Sequence, residues 1–457
     1  MTDGWSGGRG GRPAWRRRPG GDPSRLAGWL AVAALVVALA GVAVVVDRSV
    51  GSVAADAPQR EPVAGPTATG SVESLASQLD RVARTVAQVR GLPFDSVPEP
   101  VYLAREELAE RAATLVDEYK PEKADVDRRI LSLLGAVPAD ADLRALLSTA
   151  LSQQVAGFYD PRTDELVVGA PGDGRRLGPL DEVTLAHELE HALADQVLGL
   201  PYADRDPAPG EEDAAFAAVA LTEGDATLTM ILYAEAALTP AERAGLVAEQ
   251  AALTAELGDL TDLPHYLQRS LSFPYEEGLA FVSTLHDLDG FAAVDGAYRR
   301  PPGTTLEILV PAMYVHQQLA AADPRAVPAP GAPWEPRDTL ALGAADLLFL
   351  FEAPGDDQAR ALDDPYAAAV MWRGGEVSLF AQGERSAIAL ALEGEAGLCA
   401  AVRAWYAAAF PSAVRTDTPD GGARFDAPDQ DAVLACAGRE VRLGIAPDLA
   451  TAQALTA

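Results

Sequence analysis

The chain has 457 residues, 49% of them hydrophobic, which is enough for a sizeable core and two or three folded units. Its formal net charge is −31, and the residues after position 46 hold 30 basic against 65 acidic groups, a net −35. A body so acidic repels nucleic acid and anionic membrane surfaces, so neither is expected as a partner.

Residues 1–25 are rich in Gly, Arg and Pro and cannot build a core; they form a basic segment expected to be disordered. Leu26–Val46 follows, 21 residues without a charge. As a helix it would be about 32 Å long, enough to cross a bilayer. Six Arg precede it and only Asp47-Arg48 follows closely, which places the amino terminus in the cytoplasm and the rest of the chain outside. The rival is a cleaved signal peptide ending near Val53-Ala54-Ala55, but its apolar stretch is ordinarily shorter, about 7–15 residues. An uncleaved single-pass anchor is the expectation, with residues 47–70 as a Pro/Ala/Gly-rich linker.

Residues 71–330 are expected to form one domain and 331–457 a separate α+β tail. Helical periodicity marks 71–90, 105–119, 124–134 and 142–151, with an extended stretch at 97–102. Two β-rich runs, Val155–Tyr159 and Glu165–Val168, flank Asp160-Pro-Arg-Thr-Asp164 and predict a hairpin. Apolar helical patterns then cover 183–198, 211–238 and 240–257, and shorter helices with loops cover 263–300. Five prolines between Pro324 and Pro336 mark a boundary. Beyond it, 339–351 and 394–410 read as helices, and 376–380, 386–392 and 440–445 as strands. Cys399 and Cys436 lie far from every histidine pair and are able to form one disulfide in an oxidising compartment; the sequence alone does not decide it.

The chemistry is concentrated in His187-Glu188-Leu189-Glu190-His191, an H-E-x-x-H pattern inside the apolar helix 183–198. Residues four apart share a helix face, so His187 and His191 offer imidazole nitrogen to one metal ion. Glu188 stands where a general base for a metal-held water belongs. A catalytic zinc needs a third protein ligand and an open position for water. Glu223 is the candidate: between Asp213 and Glu235 only Glu223 and Asp225 are charged, and an unpaired buried carboxylate is costly. Asp225, or Asp195 four residues beyond His191, is a candidate to orient a ligand histidine through its other ring nitrogen. Tyr275, in Phe273-Pro-Tyr-Glu-Glu-Gly278, is a candidate donor to a developing oxyanion, although a packed aromatic is the blander alternative. His265, His286 and His316 sit alone and are not selected by spacing.

With these residues the chain resembles the gluzincin metallopeptidases, which combine H-E-x-x-H with a downstream Glu. It is more closely similar to membrane-anchored bacterial proteins of the peptidase-MA-like type. The similar pieces are 155–161, 186–196, Leu221-Thr-Glu-Gly-Asp-Ala226, Phe273-Pro-Tyr-Glu-Glu-Gly278 and Pro301-Pro-Gly-Thr-Thr-Leu306, together about a third of the chain. One departure is Val310-Pro311, where the group has His-Pro. The resemblance implies a mostly helical, zincin-like α+β domain with a small hairpin before the active-site helix. It implies Zn²⁺ on His187, His191 and Glu223, a protein or peptide substrate lying along the 155–168 hairpin, and peptide-bond hydrolysis outside the membrane. The competing expectations are an inactive zincin-like binding protein and a metal-dependent hydrolase of a non-peptide bond.

Overall fold

A computed structural model describes residues 74–457 apart from 172–175, 204–206, 258–259, 319–326, 328 and 420. The apolar segment Leu26–Val46 and its flanks lie outside the described residues. The protein is α+β: a mostly helical amino-terminal region with one three-stranded sheet, and a carboxy-terminal region built on a seven-stranded antiparallel sheet. Buried apolar side chains run without interruption from Val82 to Ile445, so the two regions share a core.

Helix α1, Leu75–Arg90, begins where the Ser74 side chain accepts a bond from the Ser77 amide and ends at Gly91, whose φ of 76° suits glycine. Strand β1, Val101–Leu103, is followed by α2, Arg105–Ala113, a 3₁₀ turn at Thr114–Glu118, α3, Pro121–Leu133, and α4, Leu143–Gln154. The predicted hairpin is present as β2, Gly157–Asp160, and β3, Glu165–Gly169. It is part of a larger unit, because β1 pairs parallel with β3 and the order is β1-β3-β2. Strand β2 is therefore an edge.

The motif helix α5, Pro179–Val197, starts with Pro179 in its first turn, and the Asp181 side chain accepts from the Gly178 amide at 2.8 Å. It packs on α1 and on α6, Glu212–Ala237. Helix α6 is apolar on every side, as a helix enclosed by others must be. Among the described residues it is the one helix long and apolar enough to span a membrane, but 83% of its apolar window is buried inside the fold. Helix α7, Pro240–Leu257, follows it.

Shorter helices are present at 263–300, as expected: α8, His265–Arg299, is two helices in succession, the first containing Pro274, divided by the non-helical Asp289 and Gly290. The Gly290 φ of 59° provides the kink that the loop-like composition suggested. Two short helices, α9, Thr305–Leu309, and α10, Pro311–Val315, close the amino-terminal region.

The helix predicted at 339–351 begins as a strand. Strand β4, Glu335–Ala341, pairs with β5, Trp372–Gln382, and only after Gly343 does α11, Ala344–Glu352, start. An Ala/Leu-rich stretch has helical propensity, but pairing with β5 outweighs it up to Ala341. After α12, Pro365–Ala369, and β5 come β6, Arg385–Gly394, and α13, Leu398–Ala409. Strands β7, Val414–Asp417, β8, Ala423–Asp426, β9, Asp431–Ala437, and β10, Glu440–Ala446, complete the sheet before α14, Leu449–Ala454. Its order is β4-β5-β6-β10-β9-β8-β7. Cys399 on α13 and Cys436 on β9 form a disulfide.

The two regions are tied at the start of α6. Glu212 accepts from the Ala341 amide at 3.0 Å, and Asp213 accepts from the Thr305 amide and, at 2.6 Å, from its hydroxyl. Burial pushes the Asp213 carboxyl up to about 7; Thr305 opposes this, while Asp346 and Glu307 add to it. Because the folded value exceeds the unfolded one, the folded state holds the extra proton. Its stabilisation is complete below about pH 4 and is lost as pH rises toward 7. Asp213→Asn mimics the protonated group. The variant should match the wild type near pH 4 and exceed it above pH 7 by about 2–4 kcal/mol, read from denaturant unfolding at both values. Parallel pH profiles would contradict this.

Candidate metal centre

Helices α5 and α6 bring the three predicted ligands together. The Nε2 of His187 lies 3.1 Å from Oε2 of Glu223, the Nε2 of His191 lies 3.1 Å from that of His187, and the remaining edge, His191 Nε2 to Glu223 Oε2, is 3.4 Å. All three side chains are buried, at 2%, 6% and 1% exposure. Three tetrahedral ligands at the roughly 2.0–2.1 Å of zinc–nitrogen and zinc–oxygen bonds stand about 3.3 Å apart, so the triangle has the size a metal of that kind requires. The other Glu223 oxygen, Oε1, has no hydrogen-bond partner among the described residues, although it is fully enclosed.

Close contact between helices sets the position of Glu223. Its neighbour Gly224 faces Gly278 of α8: a Cβ on Gly224 would stand 2.3 Å from the Gly278 carbonyl, and one on Gly278 would stand 2.1 Å from the Ala220 oxygen. The two backbones touch, which explains glycine at both places. Gly224→Ala must force α6 and α8 apart. We expect a loss of about 3 kcal/mol or more in chemical unfolding, at the upper end of overpacking effects, and impaired metal uptake as Glu223 moves. A variant as stable as the wild type would contradict the helix contact.

Without metal the triangle is an ion pair. Burial disfavours charge on His191, yet the facing Glu223 carboxylate pulls its pKa up to about 10. Burial likewise opposes ionisation of Glu223, but His191 and His187 bring it down to about 2. Glu188 is buried beside them, and burial raises its carboxyl above the usual range against the pull of His187 and His191. Strand β2 crosses over it. A Cβ on Gly157 would lie 3.4 Å from Glu188 Cγ, and the Tyr159 backbone provides a hydrogen bond to the carboxylate. The edge strand and the base are thus adjacent.

Tyr275 is at the site too: its ring stacks on that of His187, with centroids 6.1 Å apart. The two expected orienting residues have other partners. Asp225 receives two bonds from the Arg90 guanidinium, at 2.9 and 3.2 Å. Asp195 accepts from the Tyr159 hydroxyl at 2.9 Å and so fastens β2 to α5. Both of these contacts run to residues outside the ligand triangle. Val310 lies between α9 and α10, packed against the core, and brings no ionisable group.

Sequence reasoning missed Arg90 and Glu190. Arg90 ends α1 and is fully buried, bonded to Asp225, 2.7 Å from Asp295 Oδ1 and 3.7 Å from Glu190 Oε1, with Phe291 4.4 Å from its guanidinium carbon. Nine residues earlier on the same helix, Arg81 forks onto Glu182 at 2.6 and 3.1 Å. Two arginines therefore clamp α1 along the motif helix. The available signal was Glu190 itself, a charge at a variable position of the metal motif within a mostly apolar stretch.

No family model matches the chain, and no curated protein matches it. Among solved structures, a protein from Chloroflexus aurantiacus described as a "putative hydrolase with a novel fold" aligns at 18% identity and a TM-score of 0.36, covering 62% of this chain and 99% of that one. A likeness of that size carries no statement about fold or chemistry here.

Proposed function

We propose that the protein is a zinc-dependent metallopeptidase of zincin-like, gluzincin type, hydrolysing peptide bonds outside a membrane to which residues 26–46 anchor it. The observation that carries this is the buried triangle of His187, His191 and Glu223 at 3.1–3.4 Å, with Glu188 next to it on the same helix. Two imidazoles and one carboxylate are a donor set of catalytic zinc. Zinc there would polarise the scissile carbonyl and make a water nucleophilic near neutral pH.

The chain's own residues account for the other steps. Glu188 takes the proton of the attacking water and delivers it to the departing amine, and its raised pKa suits both halves of that transfer. Among the described residues strand β2 is the edge of its sheet and passes beside Glu188, and an extended peptide could add along that edge. Tyr275, whose ring stacks on that of His187, is the residue we assign as donor to the oxygen on which negative charge develops. The Cys399–Cys436 disulfide supports an oxidising, extracytoplasmic setting.

The test is hydrolysis of a diverse peptide library by the full-length protein in detergent. Cleavage should stop on treatment with a strong chelator and return when zinc is added. Cleavage that survives complete metal removal, or a metal-loaded protein that cleaves only ester or glycosidic controls, would contradict the proposal.

A further inference from the structure

The face of α5 that carries Glu188 also carries His191 and Asp195, three and seven residues further on. Strand β2 lies across that face. Side chains alternate along a strand, and the two positions of β2 that meet α5 are Gly157 and Tyr159. At Gly157 the fit is close: a Cβ there would stand 3.4 Å from Glu188 Cγ, 3.3 Å from Val168 Cγ1 and 3.0 Å from the Val167 oxygen. Two turns along the helix from Glu188, the Tyr159 hydroxyl donates to Asp195 Oδ2 at 2.9 Å, with Asp164 Oδ1 of the hairpin turn 3.4 Å away.

Tyr159 and Asp195 are both buried, and a hydrogen bond onto a carboxylate is of the strong kind. Burial and the two neighbouring carboxylates push the phenol's pKa up, so it stays a donor. Strand β2 has only four residues, and among the described strands it pairs with β3 alone. That ladder fixes its register but leaves its tilt toward α5 open; the tyrosine bond sets the tilt. The same residue meets the general base through its main chain, which provides a hydrogen bond to the Glu188 carboxylate.

Resting on the metallopeptidase reading above, we propose that Tyr159 and Asp195 are positioning residues for Glu188: their bond holds β2 down on α5, and Gly157 and the Tyr159 main chain then keep the carboxylate where it takes and returns its proton. Asp195 thereby acts on the site through the strand and not through a ligand imidazole.

The experiment measures zinc stoichiometry, kcat and KM on one peptide that the wild type cleaves, using the full chain in detergent. The variants are Tyr159→Phe, Asp195→Ala and Asp195→Asn, with Tyr159→Phe also placed in a Glu188→Gln background. Asparagine keeps an oxygen that accepts from the phenol and alanine does not. We expect Tyr159→Phe and Asp195→Ala to lower kcat by about 10–100-fold, the scale of a small misplacement at a reacting centre. KM should stay within about threefold and one zinc should be retained. Asp195→Asn should keep kcat within about threefold of wild type. In the Glu188→Gln background, Tyr159→Phe should change kcat by less than about twofold, because the group it positions no longer moves a proton.

A wild-type kcat in Tyr159→Phe overturns the role. So does an equal fold-loss with and without Glu188, which is the mark of a merely structural effect, and so does loss of zinc in step with activity. Should Tyr159→Phe not fold, equal kcat in Asp195→Ala and Asp195→Asn overturns the role by itself. A wild type that cleaves no peptide overturns the metallopeptidase reading and this role together. An active wild type with an unimpaired Tyr159→Phe overturns only the role.

Discussion

Glu188→Gln should lower peptide hydrolysis by about 10²–10⁴-fold, the usual worth of general acid–base catalysis, and leave zinc stoichiometry unchanged. The substitution is nearly isosteric and removes only the ability to take and return a proton. Glu188 is not among the three atoms of the ligand triangle, so metal uptake has no reason to fall. The carboxyl is buried under β2 and raised in pKa by that burial. Both features distinguish a working base from a solvated surface glutamate. Parallel zinc analysis and initial-rate assays decide the matter. Full activity in the variant would mean that another group moves the proton, and loss of zinc would mean that Glu188 is a ligand.

Glu223→Ala should abolish stoichiometric zinc binding. It leaves two imidazoles on one helix, and two histidines alone do not make a closed site. The metal-free protein should suffer too. Glu223 is the partner that offsets the buried positive charge of His191, and breaking a buried pair by removing one member costs about 3–5 kcal/mol. In the variant His191 has lost the carboxylate that raised its pKa, so it should titrate well below the value near 10 that it has beside Glu223. Metal analysis, denaturant unfolding and histidine NMR read these three consequences separately. A variant that retains one zinc per chain would remove Glu223 from the site.

Much of the site was legible in the sequence because its signals are local. H-E-x-x-H specifies its own geometry once the segment is helical, and Val183–Leu198 announces a helix by composition. Glu223 was found because a carboxylate in the middle of an apolar helix needs a reason to be there. Asp225 was flagged by the same logic, but its partner is Arg90, 135 residues earlier, and no local pattern encodes a contact at that distance. Asp195 likewise faces Tyr159 of β2, a register set by how the hairpin lies on α5. Glu190 was overlooked although it sits inside the motif, because the two variable positions of H-E-x-x-H are commonly treated as packing residues.

The fold shows the same division. The hairpin at β2 and β3 was readable from its turn, whereas β1 joins them in parallel through a long-range pairing. Within α8 the sequence marks Pro274 and Gly290 as breaks; Pro274 is absorbed into a helix, whereas Asp289 and Gly290 divide two helices, as the pattern of shorter helices anticipated. In the carboxy-terminal region β4 was taken as the start of a helix, and β7, β8 and β9 went unrecognised. The register of that antiparallel sheet, not the propensity of each strand, determines where its elements begin.

The central claim is that one metal sits on His187, His191 and Glu223. Zinc K-edge X-ray absorption on the full-length wild type tests it most directly. About one zinc per chain is expected, bound by two imidazole nitrogens at roughly 2.0–2.1 Å with one carboxylate oxygen at roughly 2.0–2.2 Å and a solvent oxygen completing the shell. A shell without imidazole scattering, or a protein that takes up no zinc when it is supplied, would contradict it.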